Sequence, residues 1–248
     1  MSLSLDDLDA VVISLDRTPE RLEGFRQRFS ASPIPIKLLR GVDGGSLNVE
    51  RLQQQGVIAS SALDWPRGQL GCALSHLKAL LKCRRHGRPL LIFEDDAQPA
   101  SQWQFDLSQA LVQAPQEWDL LLLGWNLDSC LQLEWAPGHT LTSLFQPRFP
   151  TESQLGDALA GVLQRQWMRL HKGLGLAGYL LSPSGAERIL QWTFPLRTLP
   201  IQAPELPERA CFSFDGQLNS LYPQLSAWAL FPPLVLGIND KHSSETAC

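Results

Sequence analysis

Apolar residues along the chain fall into short unbroken runs that alternate with stretches of helical spacing. The run at 11–15 (VVISL) is β-branched and predicts a buried strand. It leads into Asp16, Arg17 and Thr18-Pro19-Glu20. Thr18 can cap a helix, Pro19 suits its first turn and Glu20 complements its dipole. Leu22, Phe25 and Phe29 then share one helical face. Residues 11–30 therefore predict a strand running into a helix, the opening unit of an α/β layer structure. A second strand is expected at 34–39 (IPIKLL), closed by the turn Gly41-Val42-Asp43-Gly44-Gly45. From Gly68 to Gly87, Leu70, Ala73, Leu74, Leu77, Leu80 and Leu81 repeat at helical spacing. Lys82, Arg84 and Arg85 stand at the end of that helix, where they complement its dipole and meet solvent.

Two continuous apolar runs follow. The first, 89–93, passes straight into Glu94-Asp95-Asp96; the second, 120–123 (LLLL), ends at Gly124-Trp125-Asn126. The stretch 126–155 lacks a period and reads as an irregular loop, either contacting substrate or forming a surface insertion. A helix is expected next, with Leu159, Val162, Leu163, Trp167 and Leu170 on one side and Arg165, Arg169 and Lys172 among the others. It reads as a core helix with a solvated face or as a basic amphipathic surface for a membrane or an anionic acceptor. Strand 178–181 leads to a helix started by Ser182-Pro183, or by a capping box of Ser184 and Glu187. A proline-rich connection at 195–207, SFDGQLNSLY and ALFPPLVLG complete the pattern, and the residues after Asn239 read as a tail. The expected organisation is one α/β domain over 1–240, with a nucleotide and metal half at 8–125, an acceptor half at 126–240, and a tail at 241–248.

Composition narrows the function classes. A chain of 248 residues, 44% hydrophobic and 19% charged, is an ordinary globular sequence. Its net charge of −4 makes nucleic acid an unexpected partner. The five cysteines are scattered, odd in number and free of a C-x-x-C pair, which argues against a disulfide framework and for a reducing compartment. MSLSLDDLDA places acids where a secretory leader needs a basic segment, and no apolar run approaches the ~18 residues of a membrane span. A cytoplasmic protein is expected, with peripheral contact at the inner membrane as its one membrane role. Eight tryptophans suit stacking on pyranose rings as well as core packing.

The chemistry centres on the acidic triplet. Three carboxylates at the end of a buried strand repel one another unless a cation or hydrogen-bond donors hold them. A divalent ion such as Mn²⁺ or Mg²⁺, which prefers carboxylate and phosphate oxygens, resolves that conflict. Side chains alternate along extended backbone, so Glu94 and Asp96 should share a face as metal ligands while Asp95 points elsewhere. A solvated acidic turn is the plainer alternative. Ligands of open α/β sheets bind at the carboxyl ends of parallel strands. Arg17, the Asp43-Gly44 turn and the triplet all follow predicted strands. Arg17 or Arg21 could pair with diphosphate oxygens, and Asp43 could accept from nucleotide hydroxyls or amides. Gly68 and Gly71 would let backbone approach a nucleotide near a helix start. Each arginine is equally an ordinary surface ion-pair partner.

The ordered set VVISLDRTPERLEGF, GVDG, GQLGCALSHLKAL, LLIFEDDA, WDLLLLG and GYLLSPSGAERIL resembles glycosyltransferase family 25, over about residues 10–190. That family includes bacterial lipopolysaccharide galactosyltransferases and collagen galactosyltransferases. The resemblance implies a GT-A type fold with a mixed, mostly parallel central sheet flanked by helices. It also implies a UDP-sugar donor, Mn²⁺ dependence, inversion at the anomeric carbon, and a saccharide or lipid-linked saccharide acceptor. Glu94-Asp95-Asp96 matches the family's acidic metal motif, with Asp95 assigned to the donor, and Ser75-His76 matches its serine–histidine pair. Asp215 best matches an aspartate that follows the GYLLS-like segment, as general base or acceptor-binding carboxylate, although it could simply cap the next helix. His242 is a weaker candidate for the metal. A metal-dependent nucleotidyltransferase is the competing enzyme class, but VVISLDRTPE lacks its Gly-rich phosphate loop with a lysine. A degenerate sugar-nucleotide-binding protein is the other alternative.

Overall fold

The computed structural model of the chain describes residues 3–127, 129–145, 164–201 and 208–238, with 154, 155 and 159 besides. The first strand, β1 (Asp9–Ser14), carries the β-branched run, and α1 (Pro19–Arg28) follows with Pro19 in its first turn. Thr18 stands at the cap position, but its side chain makes no capping bond to the helix and turns back to the Leu15 carbonyl instead. β2 (Ile36–Arg40) lies parallel to β1. A short helix α2 (Val49–Gln54), capped by Asn48, precedes the long α3 (Arg67–His86). Gly87 ends α3 at φ +67°, the left-handed geometry that glycine adopts without a Cβ penalty.

β3 (Leu90–Glu94) pairs parallel to β1. The chain continues through β4 (Ala97–Pro99), α4 (Trp103–Val112) and β5 (Leu120–Gly124). The loop expected at 126–155 is instead largely a hairpin, β6 (Cys130–Ala136) and β7 (His139–Leu144), joined by a turn with Gly138 at φ +76°. A second correction concerns the helix expected over 159–170. Residues from Gln166 onward form strand β8 (Gln166–Gly173), paired antiparallel to β12 (Ala227–Phe231) on one side and β6 on the other. Trp167 and Leu170 satisfy a helical spacing, but bonding to two neighbouring strands overrides that local preference. The described part of this segment therefore offers no amphipathic helix for a membrane.

β9 (Gly178–Leu181), α5 (Pro183–Thr193), the small pair β10 (Leu199–Ile201) and β11 (Arg209–Cys211), α6 (Phe214–Leu221), β12 and β13 (Val235–Gly237) complete the chain. Ser182 caps α5, its hydroxyl accepting from the Gly185 N–H at 2.9 Å.

The main sheet has nine strands in the order β2-β1-β3-β9-β5-β12-β8-β6-β7. Following the pairings along it, β2, β1, β3, β5, β12 and β6 run one way, and β9, β8 and β7 run against them. This is the mixed, mostly parallel α/β sheet that the sequence predicts. Strand alternation splits the core into two apolar layers. Val11, Ile92, Leu120, Leu122 and Tyr179 face α3, α5 and α6. Val12, Leu91, Phe93, Leu121 and Leu180 face α1 and α4, where Phe25, Phe29, Phe93 and Trp103 pack ring against ring. With both faces covered, the strands read as unbroken apolar runs rather than alternating ones.

Candidate active site

The carboxyl ends of β1, β3 and β5 open onto a cleft of about 330 Å³. Because β9 runs against its neighbours, the segment entering it, Gly175-Leu176-Ala177, reaches the same edge. Its backbone stitches that edge together: the Ala177 carbonyl accepts from Glu94 N–H at 3.1 Å, and the Leu174 carbonyl accepts from Asn126 N–H at 2.7 Å. The α3 N-terminal half and the first turn of α6 supply the remaining walls.

The triplet divides as expected, with β3 ending at Glu94 and Asp95-Asp96 forming the turn after it. Glu94, the last residue of β3, and Asp96 line the cleft half-buried, whereas Asp95 is buried and directed at α1. Both Asp95 carboxylate oxygens are engaged: Oδ2 accepts from Ser14 Oγ at 2.7 Å, and Oδ1 accepts from Arg21 Nε at 2.8 Å and lies 2.6 Å from Arg21 Nη2. Arg28 holds the adjoining backbone through the Asp95 and Ala97 carbonyls, at 2.7 and 2.9 Å. These contacts give Asp95 a part in holding α1 to the sheet, while it still lines the cleft. The same geometry commits the Arg21 guanidinium to Asp95 at the edge of the cleft.

The glycines and Ser75 also take structural places. A Cβ on Gly44 would stand 1.9 Å from the Arg67 carbonyl oxygen, and one on Gly71 would stand 2.5 Å from the Val42 carbonyl oxygen. These glycines let the start of α3 lie directly on the turn after β2; Gly71 makes room for protein backbone, not for a nucleotide. Ser75 fastens the same contact, accepting from Val42 N–H at 2.8 Å and donating to the Gly71 carbonyl at 2.7 Å. Asp43 orders the turn by accepting from Gly45 N–H at 3.0 Å, and its other oxygen lies 3.2 Å from Arg17 Nε. Arg17 and Asp43 are both substantially exposed, and Arg17 lines the cleft.

His76 is 1% exposed, stacks on Phe214 and joins two side chains. Its Nε2 lies 3.2 Å from Glu94 Oε1 and its Nδ1 lies 2.8 Å from the Tyr179 hydroxyl. A carboxylate only accepts, so Nε2 carries the proton shared with Glu94, and with one ring proton Nδ1 accepts from Tyr179. Burial first, and then the charge of Glu94, pushes the Tyr179 hydroxyl well up, so it keeps its proton. Asp215, in the first turn of α6, accepts from Gly175 N–H through Oδ2 and from Gly216 N–H through Oδ1, both at 2.9 Å. The helix cap itself is Ser213, so the reading of Asp215 as a mere cap gives way. Burial first, and then the charges of Glu94, Asp215 and Asp96, push the Cys72 thiol well up. His242 lies outside the described residues.

The sequence profile of glycosyltransferase family 25 (LPS biosynthesis protein) matches residues 8–203. The chain belongs to glycosyltransferase family 25. Among curated relatives, a glycosyltransferase 25 family member of Drosophila melanogaster is 31% identical over 132 residues, covering 49% of this chain and 21% of the relative. An inactive glycosyltransferase 25 family member 3 of Homo sapiens is 29% identical over 127 residues, covering 47% of this chain and 21% of the relative. The matched segment thus spans about a fifth of the length of these family 25 relatives. A solved structure, the apo form of the glycosyltransferase GlyE from Streptococcus pneumoniae TIGR4, aligns with 93% of this chain and 54% of its own. At a TM-score of 0.41 and 12% identity, that likeness is too distant to bear on function.

Sequence reasoning did not single out Ser14, Arg28, Asn126, Gly175 or Tyr179. Ser14 had a signal, as a polar side chain closing an apolar strand. Tyr179 sits in a run (GYLL) that reads simply as core.

Proposed function

We propose that this protein transfers a hexose from a nucleotide-diphosphate sugar, with UDP-galactose the leading candidate, to a hydroxyl of a saccharide acceptor. The observation that carries this reading is the convergence of Glu94, Asp96, His76 and Asp215 on one cleft at the carboxyl edge of the sheet. Family membership supports a sugar donor and a sugar acceptor in general; the lipopolysaccharide or surface-glycan acceptor is the narrower part of the proposal. The Glu94 and Asp96 carboxylates are hard oxygen donors of the kind that suits Mn²⁺ or Mg²⁺. Such an ion, when bound, supplies positive charge against the departing diphosphate.

The chain's own residues account for the remaining steps. Arg17 lines the cleft about half exposed and paired with Asp43, and its guanidinium is suited to diphosphate oxygens. His76 and Tyr179 hold Glu94 in one orientation. Asp215, fixed by two backbone N–H groups, takes the proton of the acceptor hydroxyl as that oxygen bonds to the anomeric carbon. The carbon–oxygen bond to the diphosphate breaks in the same displacement, and the configuration inverts. A lipid-linked acceptor would be met at the membrane surface; no helix among the described residues is long and apolar enough to cross a membrane.

The test is a donor panel with and without Mn²⁺, scored for nucleotide release and for thermal stabilisation. Metal-dependent stabilisation and turnover by one UDP-sugar is the expected result. Donor binding with no turnover on any acceptor would align the chain with the inactive relatives, and no binding of any nucleotide sugar would sink the reading.

A further inference from the structure

We propose a second, thiophilic metal site in which Cys72 Sγ, His76 Nε2 and a Glu94 carboxylate oxygen bind Zn²⁺. Cys72 and His76 are four residues apart in α3, so their side chains leave the same helix face one turn apart. Glu94, at the end of β3, meets them there, and the three ligand atoms all lie within 4.8 Å of one another. The His76 Nε2–Glu94 Oε1 separation of 3.2 Å is close to the edge of about 3.3 Å that tetrahedral zinc requires between nitrogen and oxygen ligands. The sulfur lies within 4.8 Å of both other ligand atoms and completes the face by closing to the edge of about 3.6 Å that a Zn–S bond implies.

The surroundings suit a borderline-soft ion with three protein ligands and an open fourth position. Ligating histidines are usually oriented by a hydrogen bond at the other ring nitrogen, and Tyr179 stands 2.8 Å from Nδ1. The hydroxyl serves both states, donating to Nδ1 in the empty site and accepting from Nδ1–H once Nε2 ligates. Phe214 stacks on the ring at 5.1 Å and an interplanar angle of 12°, fixing its plane. A thiolate selects Zn²⁺ or Co²⁺ over the hard Mn²⁺. The thiol proton leaves to solvent as the ion binds. On the transfer reading above, such an ion draws Glu94 away from Asp96, so Zn²⁺ inhibits transfer at a site distinct from that of the activating ion.

The experiment uses the full chain with Co²⁺ or Zn²⁺ alone and no sugar nucleotide. Its failure leaves the transfer reading standing, and failure of that reading leaves this site standing. Co²⁺ should give a thiolate charge-transfer band with tetrahedral visible absorption, and one equivalent of Zn²⁺ should abolish both. Cys72→Ser should remove the band and weaken Zn²⁺ binding by more than ~100-fold; Tyr179→Phe should weaken it by about 10–100-fold. Zn²⁺ affinity in Cys72→Ser within threefold of the parent would overturn the site. Should that variant fail to fold, anomalous diffraction from Zn²⁺-soaked parent crystals decides: a peak among the three side chains supports the site, and its absence refutes it.

Discussion

Asp95→Ala is the substitution that best separates structural from chemical roles in the acidic triplet. The Asp95 side chain is 10% exposed and that of Arg21 22%, so the pair is screened only weakly. Truncation removes three short contacts, from Ser14 Oγ, Arg21 Nε and Arg21 Nη2, and takes the Asp95 carboxylate away from the α1–β3 junction. Removing one partner of a buried ion pair costs about 3–5 kcal/mol, because the survivor remains desolvated. Arg21's residual exposure puts the expected loss near the lower end, about 3 kcal/mol. For a domain of this size that corresponds to a fall of roughly 6–12 °C in melting temperature. Urea unfolding followed by far-UV circular dichroism measures the loss. Arg21→Ala and the double variant complete a cycle, in which the double should cost clearly less than the sum of the singles. A loss below about 1 kcal/mol for Asp95→Ala, or strict additivity, would show that the pair does not hold α1 to the sheet and would leave Asp95 to the donor site alone.

Asp96→Asn should leave the urea midpoint nearly unchanged and abolish Mn²⁺-dependent stabilisation by the donor; undiminished donor stabilisation would remove Asp96 from the metal site. Asp215→Asn should keep donor affinity while lowering transfer by roughly 10²–10⁴-fold, the range of a lost general base, and equal rates would exclude that role. Gly71→Ala forces a methyl against the Val42 carbonyl and the Gly44 backbone, and should cost about 1–3 kcal/mol in denaturant unfolding. Hydrogen bonds from His171, and then from Gly138 N–H, lower the Glu134 carboxyl below its ordinary value of 4.5. Their contribution to the β6–β8 pairing and to the β6–β7 turn is thus complete above that value and fades as pH falls through the lowered one. Glu134→Gln should abolish this acid-side loss of amide-exchange protection.

The strands that carry the site were legible because each is a largely apolar run ending in polar residues: 11–13 into Ser14 and Arg17, 89–93 into the triplet, 120–123 toward Asn126. Burial on both faces of the sheet produces such runs, and the carboxyl-end rule then locates the cleft. The split of Glu94 and Asp96 from Asp95 also came out as expected, although Asp95 and Asp96 lie in the turn between β3 and β4 and not in extended strand. Less legible were features that depend on distant neighbours. β8 has the composition and spacing of a helix and becomes a strand because β6 and β12 bond to it on either side. Gly71 and Ser75 look like ligand residues in sequence, yet the turn at Val42–Gly44 arrives against them from nearly thirty residues earlier. Nothing local to Tyr179 indicates that its hydroxyl meets His76, more than a hundred residues away.

Clustering four carboxylates around one cleft opposes folding unless they are compensated, and the compensation differs among Asp95, Asp215 and Glu94 in a way that bears on role. Asp95 is neutralised by Arg21 and Ser14, which fixes it in the scaffold. Asp215 receives two backbone N–H groups, a compensation that orients the carboxylate toward the cleft. Glu94 is held by His76, whose ring can pass from hydrogen-bond donor to metal ligand by exchanging tautomers with the help of Tyr179. Glu94 is therefore the residue through which the proposed activating and inhibitory ions would compete. Such competition separates the two sites in one measurement: Cys72→Ser should relieve Zn²⁺ inhibition while leaving the Mn²⁺ requirement intact.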